Sequence, residues 1–156
     1  MKRLTVLAAS AVLTVMLFAT AAYAADIIWG TVRADTLYGT SAPDTIKALK
    51  GGDYIDGREG ADRLYGNRGW DQVRGRPGDD ILVGGLEEDR LYGGAGNDTI
   101  ISRDYVWIDE VYCSTGEDYV YSDRIDKVSA DCEFVKRLGS SPQGGASSEQ
   151  QAADEE

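Results

Sequence analysis

The stretch Gly93-Gly94-Ala95-Gly96-Asn97-Asp98-Thr99-Ile100-Ile101 decides how the rest of the chain is read. It is a glycine-rich turn closed by an aspartate, followed by three residues of high β-propensity. Working backwards in steps of nine from Gly93, the chain divides without a gap as far as Gly30. The units are GTVRADTLY, GTSAPDTIK, ALKGGDYID, GREGADRLY, GNRGWDQVR, GRPGDDILV, GGLEEDRLY and GGAGNDTII. The sixth position is always Asp, and the eighth is always Leu, Ile or Val. The first position is Gly in seven of eight units and the fourth in five of eight. With 18 Asp among 156 residues, eight in one frame by accident has a probability on the order of 10⁻⁸, so the repeat is real.

Forward of Ile101 the frame slips by two residues at Ser102-Arg103 and resumes as DYVWIDEVY and CSTGEDYVY. Asp109 and Asp118 hold position six there, and Val111 and Val120 hold position eight. Most of the glycines are gone. Each unit reads as a turn followed by a strand of three residues. Glycine lets the chain reverse within six residues. The central aliphatic of the strand points inward and its flanks point outward, because side chains alternate along a strand.

These units resemble the GGxGxDxUx nonapeptide of the RTX (hemolysin-type) calcium-binding proteins, where U is a large aliphatic residue. The resemblance covers about residues 30–121. It implies an all-β chain folded as a right-handed parallel β-roll, a β-solenoid of about five 18-residue coils with a disulfide-tied C-terminal cap. Unit n then stacks on unit n+2, and Ca²⁺ lies between adjacent loops, held by Asp carboxylates and loop carbonyls. The metal ligands expected on this basis are Asp44, Asp53, Asp62, Asp71, Asp80, Asp89, Asp98 and Asp118. The loop carbonyls expected to join them are those of Gly57, Glu59, Arg76, Gly78, Gly94 and Gly96. The loops with glycine at position four in units four, six and eight are the strongest sites. Units one and two, lacking that glycine at Arg33 and Ala42, are weaker, and unit one serves as an end coil.

The electrostatics favour the same ion. Coils about 4.8 Å apart bring like-charged carboxylates together, with a repulsion of roughly 3–4 kcal/mol per pair at a surface-type dielectric. A hard divalent cation with oxygen ligands relieves it, and Ca²⁺ tolerates irregular loop geometry better than Mg²⁺ does. The competing structural reading is a metal-free solenoid in which Asp is only a turn former. A core one aliphatic layer thick looks too thin to order about 90 residues alone. Folding is therefore expected to be coupled to calcium binding.

The remainder of the chain bounds the setting. Met1-Lys2-Arg3, the apolar run to Ala19 and Ala22-Tyr23-Ala24 read as a secretory signal peptide over residues 1–24, with a membrane anchor as the alternative. Residues 25–101 are the regular repeats, 102–138 the divergent repeats and cap, and 139–156 a disordered acidic tail. Cleavage would take the 16 basic residues to 14 against 27 acidic ones, a formal charge of −13. That disfavours nucleic acid. Cys113 and Cys132 are expected to form one disulfide in an oxidising compartment, with a free thiol or a metal-ligand pair as the alternative.

The chain has no His, which excludes Ser-His-Asp and Cys-His catalysis and His-based zinc sites. The expected function is a secreted or cell-surface, non-enzymatic calcium-binding module, structural or adhesive, with a protein or cell-surface polysaccharide partner and no membrane span. The alternative is an accessory or remnant repeat module of a calcium-dependent secreted enzyme or polysaccharide-binding protein. The outward residues Ile81, Val83, Ile101, Tyr119 and Tyr121 are expected to share one face, as a contact patch or as ordinary half-exposed strand residues.

Overall fold

A computed structural model describes residues 26–139. The expected leader and residues 140–156 of the expected tail lie outside the described residues. The described chain is all β, with thirteen strands in two parallel sheets. In chain order they are β1 (Ile27–Trp29), β2 (Thr36–Tyr38), β3 (Thr45–Lys50), β4 (Tyr54–Asp56), β5 (Arg63–Arg68), β6 (Gln72–Pro77), β7 (Ile81–Leu86), β8 (Arg90–Ala95), β9 (Thr99–Ser102), β10 (Glu110–Thr115), β11 (Tyr119–Asp123), β12 (Lys127–Val128) and β13 (Phe134–Leu138). Odd-numbered strands form one seven-stranded sheet and even-numbered strands form a six-stranded one. Consecutive strands therefore alternate between sheets, and each nonapeptide is half a coil. Among the described residues no helix is long and apolar enough to cross a membrane.

The register follows from the eighth position of the unit. Ile46 lies opposite Leu64, Leu64 opposite Leu82, and Leu82 opposite Ile100. In the other sheet Leu37, Ile55, Val73, Leu91 and Val111 stack in the same way. A slip of one residue would turn every one of these side chains outward, so burial fixes the pairing. From Ile46 to Val111 the eighth-position aliphatics are fully buried. They form one narrow core between the sheets, together with Ala48 and Cys113.

The stack is longer than the five coils expected, reaching about six turns. Asp26-Ile27-Ile28 continues the frame nine residues before unit one, and β1 pairs with β3 through Ile28 and Ile46. The C-terminal segment does not lie across the last coil. It continues both sheets: Val128 pairs with Val111, and Val135 pairs with Val120. Asp126 and Glu133 stand one residue before these strands, as Asp does in every regular unit. The loop before Asp126 is one residue shorter than in the regular units and the loop before Glu133 two shorter, which breaks the frame in the sequence while leaving the stack intact.

Several central strands are also longer than three residues, running on through positions one to three of the next unit. The inward position one is then glycine. A Cβ at Gly75 would overlap both the Asp80 carboxylate and the Gly93 carbonyl. The turn proper comes at position four, where Gly69 has φ 121° and its α-carbon faces the Gly51 carbonyl of the preceding coil. An L-residue is strained in that conformation.

The Cys113–Cys132 disulfide is present, with Cα atoms 5.2 Å apart. It ties position one of unit ten to the residue before Glu133, joining the last expected coil to the added C-terminal turn. On the outer face of the seven-stranded sheet, Val83 sits opposite Ile101 and Tyr119 stacks on Phe134 at 4.7 Å. Ile81, Val83, Ile101 and Tyr121 are half-buried, and Tyr119 is exposed. On the other sheet the Arg74 guanidinium lies between the rings of Tyr54 and Tyr92, at 5.5 and 5.3 Å. Such contacts fasten neighbouring coils on the solvent side.

Candidate metal centre

Alternation between sheets sorts the position-six acids into two columns, one along each edge of the roll. One edge carries Asp35, Asp53, Asp71, Asp89, Asp109 and Asp126. The other carries Asp26, Asp44, Asp62, Asp80, Asp98, Asp118 and Glu133. The Asp side chains from Asp44 to Asp118 are almost wholly buried, between 0 and 3 % exposed. Burial of a carboxylate is costly without partners, so each oxygen has to be accounted for.

The first oxygen has the same partner throughout. From Asp44 to Asp126, Oδ1 of each position-six Asp accepts the backbone N–H of the position-six residue one coil earlier. Asp62 donates to Asp80 at 2.8 Å, Asp80 to Asp98 at 2.9 Å, and Asp53 to Asp71 at 2.8 Å. Asp89 donates to Asp109 and Asp98 to Asp118, both at 2.8 Å and across the two-residue slip. At the end of the second column Oε2 of Glu133 accepts the Asp118 N–H at 3.0 Å, so Glu replaces Asp in this role. The backbone carbonyls of these residues are also committed, as between Asp62 and the N–H of Ile81 at 2.8 Å.

The second oxygen divides the columns into a middle and two ends. Oδ2 of Asp53, Asp62, Asp71, Asp80, Asp89, Asp98, Asp109 and Asp118 is buried and has no hydrogen-bond partner. These are four consecutive coils on each edge. At the N-terminal end the Oδ2 of Asp35 accepts the N–H of Thr31 at 2.5 Å and its hydroxyl at 2.9 Å. Thr40 does the same for Asp44, at 2.6 and 3.0 Å. At the C-terminal end Oδ2 of Asp126 accepts the Ser102 hydroxyl at 3.1 Å and the Asp123 N–H at 2.7 Å.

Burial is the main influence on the titration of the middle group. It pushes the Asp89 carboxyl up to about 9, those of Asp62, Asp71, Asp98 and Asp109 to about 7, and that of Asp80 to about 6. Asp53 and Asp118 are raised for the same reason. The N–H from the preceding coil pulls each back down, and neighbouring carboxylates push up again.

The donor set suits a hard cation. An anionic oxygen stripped of water and without a donor wants a positive charge. Four of the carboxylates share a glycine cradle with a backbone carbonyl: Asp62 with that of Gly75, Asp71 with that of Gly84, Asp80 with that of Gly93, and Asp98 with that of Cys113. Among the described residues no three acidic side chains converge on one point. A cation here would have one or two carboxylates and would draw its other ligands from backbone carbonyls or water.

Of the carbonyls expected to contribute, that of Gly57 faces Gly39 beside Asp44, and that of Arg76 faces Gly94. Those of Gly78 and Gly96 face Gly96 and Gly116 of the next coil. Glu59 and Gly94 lie in the loops of units four and eight, Glu59 exposed and Gly94 at φ 128°. The expected ligands Asp53, Asp62, Asp71, Asp80, Asp89, Asp98 and Asp118 all belong to the middle group with a spare oxygen. Asp44 does not, because Thr40 occupies it. Asp109 does belong, although its unit has lost the glycines. Its position six of the frame was the available signal.

A family model for the RTX calcium-binding nonapeptide repeat, four copies long, matches the chain at residues 23–46, 29–64, 38–73, 50–82 and 74–103. Neither the curated proteins nor the solved structures include a significant match. The matched span runs from residue 23 to 103, more than half of the chain, and RTX nonapeptide repeats bind Ca²⁺. The chain belongs to the RTX calcium-binding nonapeptide-repeat family.

Proposed function

We propose that this calcium-binding β-roll module is a secreted or cell-surface protein that tightens when its loops take Ca²⁺, and that it works as a structural, adhesive or interaction module and not as an enzyme. The observation that carries the reading is the pair of columns of buried carboxylate oxygens without donors. Asp53, Asp71, Asp89 and Asp109 would hold cations along one edge, and Asp62, Asp80, Asp98 and Asp118 along the other, with loop carbonyls completing each set. Bound Ca²⁺ supplies the positive charge that lets these carboxylates stay ionised while buried. The residues do the rest: Oδ1 of each Asp fixes the preceding coil, so anything that orders Oδ2 also orders the backbone on both sides.

Two further observations support the setting. The Cys113–Cys132 disulfide suits an oxidising compartment. The raised carboxyls stand in repeating columns along the roll, not as one isolated pair, and the chain has no His. A protein or cell-surface polysaccharide partner is the expected object of the module's outer faces. Far-UV circular dichroism and thermal melting of the mature chain, first in EDTA and then in excess Ca²⁺, test the reading. The expected result is a low-temperature melt in EDTA that Ca²⁺ shifts to higher temperature. Identical melts in both conditions would reject it.

A further inference from the structure

The second carboxylate oxygen is treated in two ways along the same column, and the boundary is sharp. On the edge that holds Asp44, that residue's Oδ2 receives two donors from Thr40, while Oδ2 of Asp62, one coil later, receives none. On the edge that begins at Asp35, Thr31 supplies the same two donors and Asp53 again receives none. The Thr hydroxyls also accept in turn, from Arg33 N–H and from Ala42 N–H at 3.1 Å. Each end loop is therefore closed within itself.

The backbone agrees. In the loops of units three to six, positions two and four both have positive φ, at Leu49 and Gly51, Arg58 and Gly60, Asn67 and Gly69, and Arg76 and Gly78. Neither Thr31 nor Thr40 is in that conformation, and neither is Arg33 or Ala42. The first two loops are built to a different pattern, in which position two turns its N–H and hydroxyl onto its own aspartate.

We infer that Thr31 and Thr40 are built-in substitutes for the cation, so that the first two coil edges are closed without calcium and the metal column starts at Asp53 and Asp62. The inference rests on the calcium reading and adds a boundary to it. A hydroxyl and an amide N–H together deliver two partial positive charges to the oxygen that a cation would otherwise neutralise. They occupy the oxygen that the middle loops leave free. The Ser102 hydroxyl and the Asp123 N–H fill the corresponding position on Asp126 at the far end. At the N-terminal end calcium is thereby confined to the coils beyond Asp35 and Asp44, and these first turns do not depend on it.

The test is the calcium count per chain by isothermal titration calorimetry on the full chain, with circular dichroism confirming a folded roll at saturation. Asp44→Asn keeps an oxygen for the Asp26 N–H and is expected to leave the count unchanged. Asp80→Asn, its counterpart in the middle, is expected to lower it. The four substitutions Thr40→Gly, Ser41→Ala, Ala42→Gly and Pro43→Asn copy the loop of unit eight before Asp44 and are expected to raise the count by at least one. Should the graft fail to fold, Thr40→Val decides: it removes only the hydroxyl, and the count is expected to hold while the calcium-free chain loses stability. A drop in count for Asp44→Asn, or no destabilisation of the calcium-free chain by Thr40→Val, overturns the inference while leaving the calcium reading standing. A wild-type chain that binds no calcium removes both.

Discussion

The turn before Asp44 and the turn before Asp98 do the same geometric job by different chemistry. Both reverse the chain between sheets, and both end on an aspartate whose Oδ1 accepts an N–H from the previous coil. GTSAPD finishes the remaining oxygen with a threonine. GGAGND leaves it bare. A self-satisfied turn costs nothing to keep in water but has no use for a ligand. A bare buried carboxylate destabilises the metal-free fold and makes the loop responsive. The difference shows that a single repeat frame can carry both a fixed end and a conditional middle.

The largest effect expected is from removing calcium. Each occupied site adds about 2.7 kcal/mol at a free calcium concentration a hundred times its dissociation constant, and several sites act together. EDTA should therefore cost the middle far more than the ends. Hydrogen exchange would show it as faster exchange from about residue 62 to 118 than over residues 44–50. Equal loss along the rod would break the comparison.

Core and cross-link substitutions sharpen it next. Leu82→Ala, fully buried at the centre, is expected to cost about 2–5 kcal/mol, and Val135→Ala at the exposed end much less, by thermal melting in Ca²⁺. Reducing Cys113–Cys132 opens a cross-link between residues 19 apart, which should cost about 3 kcal/mol. The loss should read out first as exchange of β12 and β13.

The pH dependence has a definite sign. The middle carboxyls titrate higher in the folded metal-free chain, at about 6 to 7 and about 9 for Asp89, than the 3.8 of a free aspartate. The folded state thus holds protons that the unfolded state releases. Their contribution is complete below about pH 4 and is lost as pH rises through 6 to 7, and through about 9 for Asp89. In EDTA the chain should melt at a higher temperature at pH 5 than at pH 8. With calcium the order should reverse, because protons compete for the same oxygens. The smallest effect is that of Thr40→Val, about 1 kcal/mol in EDTA.

The period, the aspartates and the inward aliphatics were legible because a solenoid repeats its contacts at the period of its sequence. The pairing of Leu64 with Leu82 follows from the resemblance to the family, because a nine-residue period alone would equally allow Leu64 to pair with Val73. What escaped were the units that meet the same contacts with different residues. Asp26-Ile27-Ile28 lacks the glycines, and Glu133 reaches the Asp118 N–H with a longer side chain. The shortened loop before Asp126 hides Lys127-Val128. The role of Thr40 was illegible for a different reason. Thr is common at exposed turn positions, and only the fold shows that its two donors land on the one oxygen that the other loops leave free.

The alternation of strands between two sheets gives the rod a parity. Removing two consecutive units would shorten it by one coil and leave every later side chain on its own face. Removing one unit would send every later strand to the opposite sheet, exchanging the two edges and the two outer surfaces beyond the cut. The two-residue slip at Ser102-Arg103 is harmless on this account, since it widens a loop and shifts no strand between sheets. Whatever a partner reads along one face is therefore preserved by gain or loss of whole coils, and scrambled by any change of half a coil.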